Sequence, residues 1–268
     1  MLTRCLTEMP SRVTNAYLRR GGDICIVPIG SVERVGPHLP LGSRCFVAEA
    51  LAMMLAEAVD GLHVPVIPYS TVGDTWEQVG SVDVPEETLV VYVRDVVDEL
   101  VANGFRRLII LTYLDYLRYS LPCEYYEEEE LAIAGVHLRE ALHRYGTDLP
   151  QTETSLALAA AKLLGKDALA TEIQERTRKL LAGKKTFAQL PEYVVQLRRF
   201  ANLAYEMGPE GFPALPGKGA SAAKGERILK RMVKDFVPAV EALRDYNDYI
   251  LRRESRGFQR GGHFKFEL

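Results

Sequence analysis

Apolar positions along the first half of the chain alternate between two rhythms. A helix is expected from about Ser11 to Arg20, followed by a β-branched apolar run from Asp23 to Ile29 that stops at Gly30 and reads as a buried strand. After a Gly/Pro-rich loop, Ser43 is a candidate N-cap for a helix placing Phe46, Ala50, Leu51, Met54 and Leu55 on one face and ending near Asp60-Gly61. Val64 to Tyr69 reads as a second strand. Pro85 offers a first helical position before Glu86 and Glu87, and that helix runs to Asn103-Gly104. Arg107 to Thr112 is a third buried strand. Beyond it, Glu127–Arg144, Thr154–Leu164, Asp167–Leu181, Pro191–Glu206 and Ser221 to about Arg253 read as helices. Strands alternating with helices in this way predict an α/β fold with a mostly parallel sheet covered on both faces.

Composition narrows the class without naming a function. With 268 residues, 47% hydrophobic and 26% charged, the chain can bury a sizeable core, and its length alone allows one large domain or two. A net charge of −3 gives no overall footprint for nucleic acid or an anionic membrane. The most apolar runs, near Leu51–Leu55 and Leu108–Leu111, are far shorter than the roughly 20 residues that span a bilayer. Cys5, Cys25, Cys45 and Cys123 form no C-x-x-C pair and the N-terminus lacks a secretory pattern, so a cytoplasmic protein with reduced thiols is expected.

Ligands in open α/β sheets lie beyond the carboxyl ends of strands, which directs attention to the loops after Ile29, Tyr69 and Leu111. The first reads Gly30-Ser31-Val32-Glu33-Arg34-Val35-Gly36-Pro37-His38-Leu39-Pro40-Leu41-Gly42-Ser43-Arg44. It resembles the signature of the creatininase (creatinine amidohydrolase) family, G-S-x-E-x-H-G-P-H-L-P-L-x-T-D. Gly80-Ser81-Val82-Asp83-Val84, Gly104 to Arg107, Glu153-Thr154-Ser155 and Ala220 to Glu226 follow in the family's order. The resemblance implies a three-layer α/β/α sandwich spanning residues 1–254, a homohexamer, and two divalent metals that activate a water to hydrolyse a cyclic amide or related C–N bond.

The ligand positions that such chemistry needs are mostly altered. Only Glu33 matches in the first loop; Val35 stands at the family's histidine, Arg44 at its bridging aspartate, and Leu114 at the histidine of the turn after the third strand. Glu153 is retained, but Asp148 stands where the resemblance puts a catalytic histidine. Valine and leucine cannot bind a metal, and a fixed guanidinium repels one. No metal or other cofactor is therefore expected. Arg44 is expected instead to bridge Glu33 and Glu153 through its fork of donors, with Val35 and Leu114 filling the imidazole volumes; the bland alternative has Arg44 pointing to solvent.

Candidate catalytic residues are thus Glu33, Glu153 and Arg44, and His38, Trp76, Tyr113, Asp115 and Tyr116 are candidates for substrate binding. His38 reads equally as a structural hydrogen-bonding residue, and the Tyr113–Tyr119 aromatics as packing. Cys45 lies beside Arg44 near a helix start, where a thiol pKa falls, although a small buried residue explains it as well. The run Glu127 to Glu130 reads as a solvated helix start. The tail, residues 255–268, follows Arg252 and Arg253 and interleaves Arg256, Arg260 and Lys265 with Phe258, Phe264 and Phe266; it reads as an arm contacting a neighbouring subunit, or as a flexible end.

Three functions remain in play. One is a creatininase-like protein without the dinuclear site, acting by ligand binding or by assembly with itself or an active paralogue. The second is a metal-independent hydrolase, isomerase or lyase using Glu33, Glu153 and Arg44 on a small polar substrate. The third is a conventional amidohydrolase. No nucleic-acid or membrane partner is expected.

Overall fold

Ile24 and Ile26 belong to one side of the first strand, Cys25 and Val27 to the other, and that alternation divides the interior into two cores. The structure, a computed structural model, describes residues 3–72, 79–114, 117, 121–122, 131–138, 144–145, 149–182 and 218–254. After a short 3-10 turn at Leu6–Glu8, the elements run α1 (Ser11–Arg19), β1 (Ile24–Pro28), α2 (Ser43–Ala58), β2 (Leu62–His63), α3 (Glu86–Ala102), β3 (Arg107–Thr112), β4 (Ala132–His137), α4 (Leu149–Leu163), α5 (Asp167–Ala182) and α6 (Ala222–Glu254).

The four strands form one parallel sheet in the order β2-β1-β3-β4. β1 and β3 are central, with Cys25 opposite Leu108 and Val27 opposite Ile110. Ile24, Ile26, Ile109 and Leu111 pack against α2, α4 and α6. Cys25, Val27, Leu108 and Ile110 pack against Tyr17 of α1 and Leu89, Val93 and Val97 of α3. The result is the expected three layers. α2 is buried on nearly every side, from Val47 through Ala56, because the sheet lies beneath it and α4 and α6 flank it.

Several local expectations change. The stretch Val64–Tyr69 makes only isolated contacts with β1, Val64 N–H to Ile26 O at 3.1 Å and Ile67 N–H to Pro28 O at 2.9 Å, and the ladder itself is formed earlier, by Leu62–His63. Pro65 and Pro68 interrupt it because neither has an N–H to donate. Residues within the expected helix 127–144 instead form β4, where Ile133 and Val136 flank Gly135 and β-branched residues favour a strand. Gly42, not Ser43, is the N-cap of α2, and Ser43 Oγ turns back to the Pro40 carbonyl at 2.6 Å. Pro85 likewise caps α3 instead of opening it. The expected helix 191–206, the run 127–130 and the tail 255–268 lie outside the described residues.

Candidate functional site

The chain crosses from β1 through α2 on one face to β2, then through α3 on the other face to β3. The carboxyl ends of β1 and β3 therefore mark the point where the sheet's winding reverses, and the loop 30–42 emerges there. Gly30 permits the exit: a Cβ on it would lie 2.5 Å from the Cα of Cys45, so only glycine lets β1 press against the first turn of α2. The loop then holds itself with Glu33 N–H to Leu41 O at 3.0 Å and Ser43 N–H to Pro40 O at 3.1 Å.

Glu33 is buried, at 2% exposure. Ser31 Oγ donates to its Oε1 at 2.5 Å, and Arg44 Nη1 donates to the same oxygen. Arg44 belongs to the first turn of α2 and is itself largely covered, with 16% of its side chain exposed. Its Nη2 approaches Glu153 Oε1, from α4, at 3.9 Å, and its guanidinium lies 5.1 Å from the centre of the Tyr113 ring. The three residues named for catalysis are thus brought together, and Arg44 points inward. Burial pushes the Tyr113 phenol up, with Arg44 opposing and the two carboxylates reinforcing the rise, so it stays protonated.

Val35, Leu39, Val47 and Leu156 close the same pocket, which leaves about 10 Å³, room for one water at most. Val35 packs toward Leu39, Ala157 and Leu158, as an apolar filler should. Leu114 does not share this role. It packs with the α3 face of the sheet, while the preceding residue, Tyr113, turns to Arg44. The period-two alternation at the end of β3 decides which of the two faces the pocket.

His38 is 1% exposed and its Nε2 pairs with Thr154 Oγ1 at 2.8 Å, tying the loop to α4. Burial lowers its pKa to about 4, so the ring is neutral, and Nδ1 has no hydrogen-bond partner among the described residues. Cys45 is buried with Sγ on the Ser31 carbonyl at 3.2 Å, and burial raises its thiol to about 11, opposite to the shift that a helix start and Arg44 suggest. Trp76, Asp115 and Tyr116 lie outside the described residues.

Sequence reasoning passed over Ser31 and Thr154 although both fall inside the quoted motifs, one two positions from Glu33 and the other next to Glu153. It also left the Ala220–Glu226 motif without a role. Gly225 of α6 packs so tightly on α4 that a Cβ would lie 1.9 Å from the Ser155 carbonyl oxygen, and Ser221 N–H donates to Ser155 Oγ at 3.2 Å. These contacts fix the helix that carries Glu153 and Thr154.

Residues 7–113, which include β1, the Glu33 loop and β3, match the family model Creatininase, described as creatinine amidohydrolase. The likeness to the creatininase family model covers that stretch, less than half of the chain. No curated protein matches it. Among solved structures, a tryptophan-to-phenylalanine variant of creatininase is similar in fold, with 19% identity and a TM-score of 0.65 over 89% of this chain and 98% of that one. A glutamate-to-glutamine creatininase variant described as Zn-Zn type gives 19% identity and 0.64 over 89% and 97%. A putative creatinine amidohydrolase from Bacteroides fragilis NCTC 9343 gives 19% and 0.59 over 83% and 90%. Among the described residues, no group of three or more His, Cys, Asp or Glu side chains is placed to hold a metal ion. No helix in the described residues is long and apolar enough to cross a membrane.

Proposed function

We propose that this chain is a creatininase-family protein whose pocket has exchanged the dinuclear metal centre for an internal ion pair, and that it acts without metal-dependent hydrolysis. Its role on this reading is assembly, with its own copies or with an active paralogue, or the holding of a small ligand. The observation that carries the reading is the guanidinium of Arg44 against the buried Glu33.

The donor set does not suit a divalent cation. Glu33 Oε1 already accepts from Ser31 and Arg44, and a dication about 4 Å from a fixed guanidinium would meet a repulsion of about 8 kcal/mol at an effective dielectric near 20. Val35 and Tyr113 offer no imidazole in compensation. Elemental analysis of the purified chain after growth with zinc and manganese tests this directly. The expected result is substoichiometric metal that does not change in Glu33→Gln; near-stoichiometric metal lost in Glu33→Gln would overturn the proposal.

A metal-independent enzyme is the second reading, and one observation favours it: Glu153 keeps 25% of its side chain exposed beside Arg44. Glu33, covered and doubly bonded, is a poor general base by comparison. Turnover of a cyclic amide abolished by Glu153→Gln and spared by metal chelators would favour this reading over a silent protein.

A further inference from the structure

Most of α3 follows the rule for a helix covering a sheet. Leu89, Val90, Val93, Val97 and Leu100 face the core, and Asp95, Asp98 and Glu99 face solvent. Val91 and Tyr92 break the rule. They lie on the outer stripe with Thr88 and Asp95, at the three- and four-residue spacing that aligns side chains along a helix, and each is 52% exposed. Val79 and Val82, shortly before the helix, are also exposed, at 87% and 42%, and the parallel pairing of Ser70 with Asp83 brings Tyr69, 51% exposed, beside Val82. Single exposed apolar side chains are ordinary, whereas Val91 and Tyr92 side by side on one helix, with exposed valines leading into it, have the composition of an interface core.

The helix and the residues leading into it are acidic in sequence. Between residues 83 and 99 the chain carries Asp83, Glu86, Glu87, Asp95, Asp98 and Glu99 against Arg94 as the one cation. A partner for this face needs aromatic side chains interleaved with positive charge. Residues 255–268 have that composition, with Phe258, Phe264 and Phe266 among Arg256, Arg260 and Lys265 and a single acid, Glu267. α6 also packs on the opposite face of the sheet from α3. The helix runs to Glu254, where the 255–268 segment begins. Fourteen extended residues beyond it reach up to about 50 Å.

We propose that the segment 255–268 of one copy docks on the acidic, tyrosine-bearing outer face of α3 in a second copy. Phenylalanine side chains cover Val91 and Tyr92, and the arginines meet the carboxylates that rim them. This interface stands apart from the pocket chemistry and survives either reading of Arg44. It supplies contacts for assembly that the Glu33 site does not touch.

The test uses the full chain with Phe264 replaced by benzoyl-phenylalanine, photolysed in an equal mixture of ¹⁴N- and ¹⁵N-labelled copies. Cross-linked peptides joining residue 264 to the 83–99 stretch are expected, half of them isotopically mixed. Tyr92→Lys should reduce their yield at least about fivefold, and added salt should weaken them as screening weakens the charge pairing. Arg256→Glu/Arg260→Glu should lower the yield, and Asp95→Lys/Glu99→Lys in the same chain should restore it. Cross-links confined to one isotope would show docking within a copy. That result overturns the proposal, as does a cross-link to any other surface or a yield indifferent to Tyr92→Lys. A circular dichroism melt of each variant separates loss of docking from loss of fold.

Discussion

Arg44→Ala is the most informative single change. It removes the cation beside a carboxylate that is 2% exposed, while the hydrogen bond from Ser31 remains. Breaking a buried pair by deleting one partner costs about 3–5 kcal/mol, because the surviving charge is left desolvated. The lower end applies here, since Arg44 and Glu153 are partly open to solvent and water can enter the vacated volume. The lost cation–π contact with Tyr113 adds to the deficit. A loss of about 3 kcal/mol lowers Tm by about 6–12 °C in a chain of this size. The assay is a double-mutant cycle by urea denaturation, with Arg44→Ala, Glu33→Gln and the double variant. Removing the charge on Glu33 should rescue much of the Arg44→Ala loss, giving a coupling of about 2 kcal/mol or more, within the range for residues in one network. An unchanged Tm in Arg44→Ala, or strictly additive effects, would refute the bridging argument.

Other consequences follow from the same geometry. His38 has a folded pKa near 4, below its ordinary 6.5; the unfolded chain therefore binds the extra proton first, and stability declines as pH falls from about 6.5 to about 4, by about 3 kcal/mol in all. His38→Gln should flatten that limb of a pH–stability curve, and a parallel limb would refute the assignment. Cys45 should react with Ellman's reagent at pH 8 only on unfolding, given a thiol raised to about 11; rapid labelling of the native chain at Cys45 would contradict its burial. Gly225→Ala should destabilise by at least about 1–3 kcal/mol, the range for overpacking, because its Cβ meets backbone with nowhere to move. A native Tm in that variant would show that α4 and α6 can separate freely.

The layers and the central strands were legible because their signals are local and strong. β1 and β3 are continuous apolar runs, and β3 has the expected bounds, Arg107 and Thr112. β4 was hidden because Ala132-Ile133-Ala134-Gly135-Val136 follows a glutamate run that mimics a helix start, and composition outweighed the β-branched pair around Gly135. The meeting of Arg44 with Glu33 could be anticipated only through the resemblance, which puts both at metal-ligand positions of one loop and so sets a cation where the carboxylate needs a partner. The identity of the third wall could not: Tyr113 or Leu114 faces the pocket according to the parity of β3, which depends on a register with β1 that the sequence does not print. The tie between His38 and Thr154, 116 residues apart, was equally invisible, since only the packing of α4 beside the loop creates it.

That long separation also bears on how the protein comes to be folded. Every strand pair among the described residues is parallel, so none of these forms as a hairpin, and the central register joins Ile24 to Arg107 across more than eighty residues of intervening chain. Contacts of such sequence distance are late and slow, because the loop must close before any reward is collected. Glu33 and Arg44 can find each other within one short stretch of nascent polypeptide, but Glu153 and Thr154 reach them only after more than a hundred further residues have been synthesised and α4 has docked. Tyr113, against Arg44 at the junction of early and late segments, therefore reaches its enclosed position only when α4 docks and the half-made pocket is sealed.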